Sequence, residues 1–176
     1  METARLTGRP LAKGDVPFVM KTFNDERVTA LVAETMTEQQ VRDRIDRWRR
    51  HRAKYGYATE LFHDRSTNWP IGWGGLQHST IGIGERLTIG YAVAPEFWGR
   101  GYATEIALAS VAYAFGLVSV DDVRASILST NTPSRSVAEK VGMSLECEIS
   151  HGDLVEAIYV VDRQAWSRRG GTPRAE

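Results

Sequence analysis

The most constraining feature of the sequence is a junction near its middle, where a strand pattern passes through two glycines into a helix pattern. Residues 87–93 alternate bulky and small side chains, residues 99–101 read Gly-Arg-Gly, and helical periodicity runs over residues 103–115. The first turn of a helix leaves unpaired N–H groups and the positive end of the helix dipole. A glycine-bearing strand-to-helix turn can hold a phosphate ester, so the junction predicts an anion site.

The strand of this junction has one bulky face and one face almost stripped of side chains. The bulky face comprises Leu87, Ile89, Tyr91 and Val93, and the small face comprises Thr88, Gly90, Ala92 and Ala94. A stripped face suits either a helix packed tightly against it or the backbone of a ligand lying along it, and a glycine in a strand is compatible with both. The segment alone leaves both explanations open.

Periodicity and turn residues divide the rest of the chain into helices and strands. Helices are predicted over residues 15–23 and 37–54, and a second strand-to-helix junction lies over residues 129–142, with a polar cap, an early proline and a closing glycine. Strands are predicted over residues 55–63, 71–78, 87–93, 123–128, 143–149 and 154–161. The first three indicate an antiparallel meander and the last two a hairpin, so we expect an α/β domain with a mostly antiparallel central sheet flanked by helices.

Length and composition limit the classes of protein to consider. A chain of 176 residues fits one domain, with a core over about residues 6–166 and mobile tails over residues 1–10 and 167–176. Its net charge is zero, which disfavours a nucleic-acid or anionic-membrane partner. No segment approaches the ~18 apolar residues of a membrane span, and no signal peptide is evident. The single cysteine, Cys147, is expected to be a small strand residue and fits a reducing, cytoplasmic location.

The predicted helix over residues 37–54 is rich in arginine. Its charged residues are Arg42, Arg44, Arg47, Arg49, Arg50 and Arg52, interleaved with Glu38, Asp43 and Asp46. Mixed charge on a helix is normally a solvated surface, and we expect that here.

Two other nucleotide-binding motifs are disfavoured by spacing. A P-loop needs lysine and then serine or threonine after its last glycine, and Tyr102 and Ala103 occupy those places. A dinucleotide fingerprint has glycine or alanine where this chain has Thr104, and it opens a βαβ unit rather than following a meander.

The junction resembles the acetyl-CoA motif of the GNAT N-acetyltransferase superfamily, and within it the RimJ/RimL-like branch of ribosomal-protein N-terminal acetyltransferases. Residues 91–105 carry most of the likeness, reading Tyr-Ala-Val-Ala-Pro-Glu-Phe-Trp-Gly-Arg-Gly-Tyr-Ala-Thr-Glu. Further matches are residues 71–76, Asn131, Ser134, Val137, Gly142, Met143 and Tyr159. The likeness spans about residues 6–166. One departure is Glu96, where the family pattern has glutamine or arginine.

The resemblance implies an acetyl-CoA-dependent N-acetyltransferase whose sheet is split beside the cofactor strand, with no metal. Backbone N–H groups of Trp98, Gly99, Arg100, Gly101, Tyr102, Ala103 and Thr104 would hold the pyrophosphate. The pantetheine arm would add like a strand beside Ala92 and Val93. Arg100 would add charge-assisted contacts or remain a surface residue. Asn131 would bind the pantetheine or serve only as a helix cap.

Acetyl transfer needs a neutral amine, stabilisation of an oxyanion and protonation of the departing thiolate. The resemblance implies that the backbone N–H of Val93, where the family has a strand bulge, stabilises the oxyanion. Many relatives carry a tyrosine acid where this chain has Ala138. The RimL-like branch implies that Ser134 approaches the sulfur instead, and the alternative is an ordinary serine at the helix N-terminus. Candidate bases are Glu60, His63, His78 and Glu85, and deprotonation through water remains an alternative.

No motif names the amine acceptor. A protein N-terminus and a small-molecule amine both remain open, and the balanced charge gives no strong support to a polycationic substrate or a ribosomal partner. The aromatic residues Tyr55, Tyr57, Trp69, Trp73 and Trp98 are candidates for an amphipathic acceptor pocket. A homodimer is compatible with the sequence. The alternative function is a non-catalytic acyl-CoA sensor on the same fold.

Overall fold

Seven strands form one sheet whose spatial order follows the chain for the first five strands and then reverses. The computed structural model describes residues 1–81 and 84–170. The strands are β1 (Leu6–Pro10), β2 (Thr59–Asp64), β3 (Pro70–Thr80), β4 (Glu85–Val93), β5 (Asp122–Leu128), β6 (Ser144–His151) and β7 (Leu154–Asp162). Their order across the sheet is β1-β2-β3-β4-β5-β7-β6. No helix among the described residues is long and apolar enough to cross a membrane.

Six helices accompany the sheet. They are α1 (Val16–Phe23), α2 (Glu26–Val32), α3 (Glu38–Tyr55), α4 (Tyr102–Leu117), α5 (Thr132–Lys140) and α6 (Arg163–Arg168), and short 3-10 turns occupy Lys13–Asp15 and Pro95–Phe97. The longest, α3, begins at a capping box in which Thr37 and Gln40 exchange hydrogen bonds, and it ends at Gly56 in the left-handed conformation (φ 82°).

The sheet is split between β4 and β5. Every other neighbouring pair is antiparallel, but β4 and β5 are parallel and pair only at Thr88 with Arg124. Beyond this point the two strands leave a cleft at their carboxyl ends. The predicted mostly antiparallel sheet with a split beside the cofactor strand is therefore confirmed.

The two faces of β4 have different neighbours, and these show whether the face with small side chains packs against a helix or stays open to a ligand. The bulky residues Leu87 and Ile89 share a buried core with residues of α4. On the small face, Ala92 packs against the core formed with α1 and α3, whereas a Cβ at Gly90 would meet no atom within 4 Å. The small face of β4 thus supports helices at Ala92 and is open at Gly90.

Close helix packing instead requires glycine on β3. A Cβ at Gly74 would collide with Ile106 of α4, so a larger residue there would push the helix off the sheet. This contact fixes α4, and with it the loop that precedes α4, at one distance from the sheet.

The ends of the chain differ from the sequence-based expectation. The predicted mobile tail over residues 1–10 was wrong for its second half, because β1 pairs with β2 and Leu6 is fully buried. The short helices α2 and α6 were not predicted, although Trp166 of α6 is buried. Of the predicted C-terminal tail, residues 171–176 lie outside the described residues. Cys147 lies on β6, as expected, and is exposed.

Candidate active site

The glycine loop connects the end of β4 to α4 through two left-handed residues. Gly99 has a φ of 74° and Gly101, the residue that caps α4, has a φ of 79°. Residues with a Cβ adopt this conformation at a cost, so glycine is favoured at both positions. The backbone turns sharply here and delivers the amino end of α4 to the carboxyl end of β4.

Six successive backbone N–H groups of this loop are unpaired. Within the part of the chain that the structure describes, no hydrogen-bond acceptor faces the N–H groups of residues 99–104, and the first intrahelical bond runs from Glu105 N to Gly101 O at 3.1 Å. Residues 98–101 are also exposed. Consecutive free amides at the positive end of a 16-residue helix can hold a diphosphate.

Two guanidinium groups border the loop. Arg5 donates to the carbonyl of Arg100 at 2.9 Å, pairs with Glu105 at 2.6 Å and lies 4.4 Å from the ring centre of Tyr102. Arg100 itself is exposed and lies over Phe97 at 5.6 Å. Sequence reasoning missed Arg5, because its segment had the composition of a tail. A ligand with several negative charges would meet both cations.

The edge of β4 that faces the cleft offers free main-chain groups. Ala94 N donates to Ile71 O at 2.9 Å, and the β3–β4 register runs from there without a shift. Because bonding direction alternates along an antiparallel strand, the N–H groups of Tyr91 and Val93 point away from β3 toward the cleft. The Val93 carbonyl accepts a 2.7 Å bond from Trp98 Nε1. The bulge that the resemblance implied near Val93 is absent from the β3–β4 ladder, whose register is unbroken.

The second junction brings Asn131 and Ser134 to the cleft. Asn131 Oδ1 accepts a 3.1 Å bond from Ser134 N and so caps α5, which leaves its amide Nδ2 for a ligand. Tyr91 Oη donates a 2.8 Å bond to the Ser134 carbonyl, and burial raises the Tyr91 pKa well above its ordinary value of 10.0. The Ser134 hydroxyl has no hydrogen-bond partner within residues 1–81 and 84–170. The protonated phenol of Tyr91 thus holds the main chain of Ser134 in place, while the Ser134 hydroxyl makes no hydrogen bond to the described residues.

A cleft of about 220 Å³ lies beside this serine. Its lining residues are Leu31, Val32, Ile89, Gly90, Tyr91, Ala125, Ser126, Ile127, Leu128, Asn131, Ser134 and Glu156. The second junction, the part of β4 around Gly90, the end of β5 and the end of α2 therefore meet at one place.

One carboxylate enters the cleft. Glu156 of β7 accepts a 2.7 Å bond from the Ser126 hydroxyl, its side chain is 39% exposed, and His151 Nε2 lies 3.9 Å away. Sequence reasoning missed Glu156. The available signal was an acidic residue inside the otherwise apolar run of residues 154–161. A carboxylate beside Ser134 can bind an ammonium group and accept a proton from it.

The structure does not bring His78 and Glu85 to the cleft. His78 lies opposite Leu87, six residues from Val93 along β4, which is about 20 Å in an extended strand. Its Nε2 bonds Tyr57 Oη at 2.9 Å, and its Nδ1 lies 3.7 Å from Glu85. Both residues stand at the far end of the β3–β4 hairpin.

The other predicted base candidates and aromatic residues also lie outside the cleft. Glu60 is buried and pairs with Arg52 at 2.7 Å, and burial lowers the pKa of His63 near Arg9. The aromatic residues do not form one pocket, because Trp73 packs in the core whereas the Trp69 side chain is 64% exposed.

Known proteins share this architecture. The acetyltransferase (GNAT) domain model matches residues 5–144. The uncharacterized protein YkkB of Bacillus subtilis is 30% identical over 137 residues, which cover 78% of this chain and 80% of YkkB. An acetyltransferase from Agrobacterium tumefaciens has a TM-score of 0.81 at 23% identity, covering 93% of this chain and 94% of its own. Spermidine N-acetyltransferase from Vibrio cholerae, solved with CoA and spermine, has a TM-score of 0.72 at 16% identity, covering 93% and 99%.

At such identities the two solved structures show the fold alone. The family model, in contrast, spans most of the chain, including both strand-to-helix junctions. This protein belongs to the GNAT acetyltransferase family.

Proposed function

We propose that the protein transfers an acetyl group from acetyl-CoA to an amine in the cleft between β4 and β5. The observation that carries the proposal is the run of six unpaired N–H groups at residues 99–104, directly beside the open edge of β4. The loop offers a cradle for a diphosphate, and the strand edge offers main-chain pairing to an extended arm. The loop therefore suits the diphosphate of coenzyme A, and the strand edge suits its pantetheine arm.

Cofactor contacts are proposed at both junctions. The contact residues are Ala92, Val93, Trp98, Gly99, Arg100, Gly101, Tyr102, Ala103, Thr104, Asn131 and Ser134, to which we add Arg5. Because the Ala92 main chain bonds to β3, main-chain pairing toward the cleft is left to Tyr91 and Val93, and Ala92 contributes its small side chain. Asn131 donates from Nδ2, since its Oδ1 caps α5.

Acetyl-CoA supplies an activated thioester, and the chain supplies charge stabilisation around it. The sequence-based proposal gives the oxyanion to the Val93 N–H. The Tyr91 N–H faces the same side of β4 and is the donor left to pair with the pantetheine arm. The Ser134 hydroxyl donates a hydrogen bond to the departing sulfur.

Glu156 replaces His78 and Glu85 as the proposed base. Its carboxylate binds the acceptor's ammonium group and accepts the proton that the nitrogen must lose before attack. From the ammonium form the nitrogen thus loses two protons: Glu156 takes the first and releases it to solvent, and the second ends on the departing thiolate. This assignment is supported by the position of Glu156 in the cleft with Ser134.

The acceptor is proposed to be a protein N-terminus, as in the RimJ/RimL-like branch, or a small-molecule amine. The relative from Vibrio cholerae was solved with spermine, which supports an amine acceptor in general. Membership of that branch, a cytoplasmic location and a homodimer stay predictions from the sequence.

A broad acceptor panel tests the proposed function. Wild-type protein is mixed with acetyl-CoA and either small amines or peptides with free N-termini, and release of free coenzyme A thiol is recorded. We expect thiol release with at least one acceptor, and saturable acetyl-CoA binding by calorimetry. Binding without release across the whole panel would favour the acyl-CoA sensor, and absence of acetyl-CoA binding would contradict the proposal.

A further inference from the structure

A second cavity, of about 530 Å³, lies between α3 and the far part of β3. Its lining residues are Arg44, Arg47, Trp48, Arg50, His51, Lys54, Gln77, His78 and Ser79. Four of these side chains are permanent cations at neutral pH and none is acidic. Residues 44, 47, 51 and 54 recur at helical spacing, so one face of α3 turns this charge toward the cavity. The charged surface of α3, which the sequence predicts to be solvated, thus has two sides: one lines this cavity and the other faces away from it.

The charge on this face is largely unneutralised. Within the described part of the chain, no acidic side chain lies within salt-bridge distance of Arg47, Arg50 or Lys54. Arg44 is half-buried, lies 3.7 Å from Glu34 and stacks over Phe23 at 4.9 Å.

The arginines on the opposite side of α3 behave differently. Arg42 pairs with Glu38, and Arg49 lies 3.4 Å from Asp46. These pairs are exposed and local to the helix. They form the solvated surface that the sequence predicted. On the cavity side, Glu34 lies beside Arg44 and Glu85 beside His78, but within the described residues no acid pairs with Arg47, Arg50 or Lys54.

The floor of the cavity is held in place by hydrogen bonds between α3 and β3. Trp48 Nε1 donates to Gln77 Oε1 at 3.1 Å, and His51 Nε2 accepts a 3.0 Å bond from the backbone N–H of His78. The other ring nitrogen of His51 donates to the Tyr57 carbonyl at 2.8 Å. The helix and strand that carry these cations are therefore held together before a ligand binds, which reduces the conformational entropy lost on binding.

The cavity adjoins the acetyl-transfer cleft. Gln77 on its floor lies opposite Thr88, and Gly90, two residues further on the same face of β4, lines the cleft about 7 Å away. A second link is the ion pair between Arg44 and Glu34. Glu34 follows the α2 residues Leu31 and Val32 along the chain, and these line the cleft. An acceptor that reaches from Glu156 to this cavity must span about 20 Å, because Glu156 lies opposite Leu128, four residues beyond Arg124, and three strand spacings separate β7 from β3.

We propose that this cavity binds carboxylate or phosphate groups of the acceptor, so that the substrate is an amine with an anionic far end. The inference rests on the proposed function and specifies its substrate class. Guanidinium groups suit this role because their planar donors match carboxylate and phosphate oxygens. The amine faces Glu156 at one end, and the anion faces Arg47 and Arg50 at the other. A polycation such as spermine would be repelled at the second end.

Matched acceptors test the inference. The first pair is a peptide with a free N-terminus and glutamate at positions six to eight and the same peptide with lysine there, since five to seven extended residues span about 17–25 Å. The second pair, glucosamine 6-phosphate and glucosamine, is too short to reach both spaces at once and serves as a length control. Each is assayed by thiol release with wild type, with Arg47→Gln/Arg50→Gln and with the control Arg42→Gln/Arg49→Gln, which makes the same charge change on the opposite side of α3.

We expect kcat/KM to favour the anionic member of the peptide pair by about tenfold or more, the effect of a lost charged contact, and to show no such preference within the hexosamine pair. The cavity variant should lose this preference, with acetyl-CoA affinity unchanged, and the control should keep it. Equal use of both peptides, or the same preference in the cavity variant, would overturn the inference while leaving acetyl transfer intact.

A binding measurement covers the case in which no acceptor in the panel is turned over. Calorimetry with the glutamate and lysine peptides, in the presence of coenzyme A, reports recognition without chemistry. Tighter binding of the glutamate peptide to wild type than to the cavity variant supports the inference, and equal binding of the two peptides refutes it. Loss of acetyl-CoA binding itself would instead count against the proposed function.

Discussion

The phenol of Tyr91 on β4 donates a 2.8 Å hydrogen bond to the main-chain carbonyl of Ser134 at the start of α5. This bond joins the two strand-to-helix junctions directly. Ser134 is therefore positioned by β4 as well as by its own helix cap. Its hydroxyl, which we propose contacts the sulfur of acetyl-CoA, is thus held close to β4, the strand that we propose binds the cofactor.

Replacing Tyr91 with phenylalanine removes this bond with little change in volume. We expect Tyr91→Phe to lower kcat about tenfold and the free energy of unfolding by about 1 kcal/mol, because the part-buried hydrogen bond to the Ser134 carbonyl is lost. The acetyl-CoA Kd should change little. Steady-state kinetics, calorimetry and urea unfolding measure the three quantities. Tyr113→Phe on α4 is the control, and an unchanged kcat in Tyr91→Phe would show that the bond is only structural.

The glycine loop is tested by two substitutions at one position. Gly101 has a φ of 79°, so any side chain there adds backbone strain, but only an acid adds charge. We expect Gly101→Glu to weaken acetyl-CoA binding about a hundredfold, equal to about 2.7 kcal/mol, and Gly101→Ala to weaken it far less. Calorimetry on the folded variants provides the comparison. Equal affinities for the two variants would argue against a phosphate at this loop.

Glu156 is tested through the pH dependence of transfer. Glu156→Gln keeps an acceptor for Ser126 but cannot take a proton, so we expect kcat/KM to fall about a hundredfold near neutral pH. The defect should shrink as pH rises toward the pKa of the acceptor amine, because the amine then arrives neutral. Glu148→Gln on the exposed strand β6 serves as the control. A defect of the same size at every pH would contradict proton acceptance by Glu156.

His51 gives the fold a pH-dependent contact. Burial lowers its pKa below the ordinary 6.5, and the neutral ring accepts from His78 N–H while donating to the Tyr57 carbonyl. The stability from neutral His51 is therefore complete above about pH 6.5 and is lost as pH falls through the folded pKa. Burial lowers the pKa of His63 as well, which adds to stability in the same direction.

We expect the free energy of unfolding of wild type to fall between pH 7.5 and pH 5.5, and to fall less in His51→Gln. His151→Gln alters an exposed histidine and should retain the wild-type slope. Urea unfolding at several pH values measures these slopes. Equal pH slopes of the free energy of unfolding for wild type and His51→Gln would show that His51 does not contribute to the pH dependence of stability.

Much of the fold was accessible from the sequence because its signals are local. The alternation along β4, the two glycines of the loop and the proline of α5 each act within a few residues. The short helix α2 escaped prediction because seven residues give too few turns to show a period. Strand β1 escaped because its partner, β2, lies about fifty residues away along the chain.

The catalytic residues were less accessible because they depend on register and topology. Glu85 was expected just ahead of the cofactor strand, but it is the first residue of β4, and the length of this strand carries it away from Val93. Glu156 reaches Ser134 only because β7 inserts between β5 and β6 in the sheet. Arg5 reaches the glycine loop by a contact with residues about a hundred positions away.

The most direct test of the account compares transfer rates in Ser134→Ala and Ser136→Ala, a matched substitution on the same helix at a position that does not line the cleft. The measurement is single-turnover release of coenzyme A thiol to the best acceptor, with acetyl-CoA affinity determined in parallel. The account predicts that Ser134→Ala slows release about tenfold or more at unchanged affinity, and that Ser136→Ala matches wild type. Wild-type release by Ser134→Ala, with chemistry rate-limiting, would contradict the assignment of this cleft.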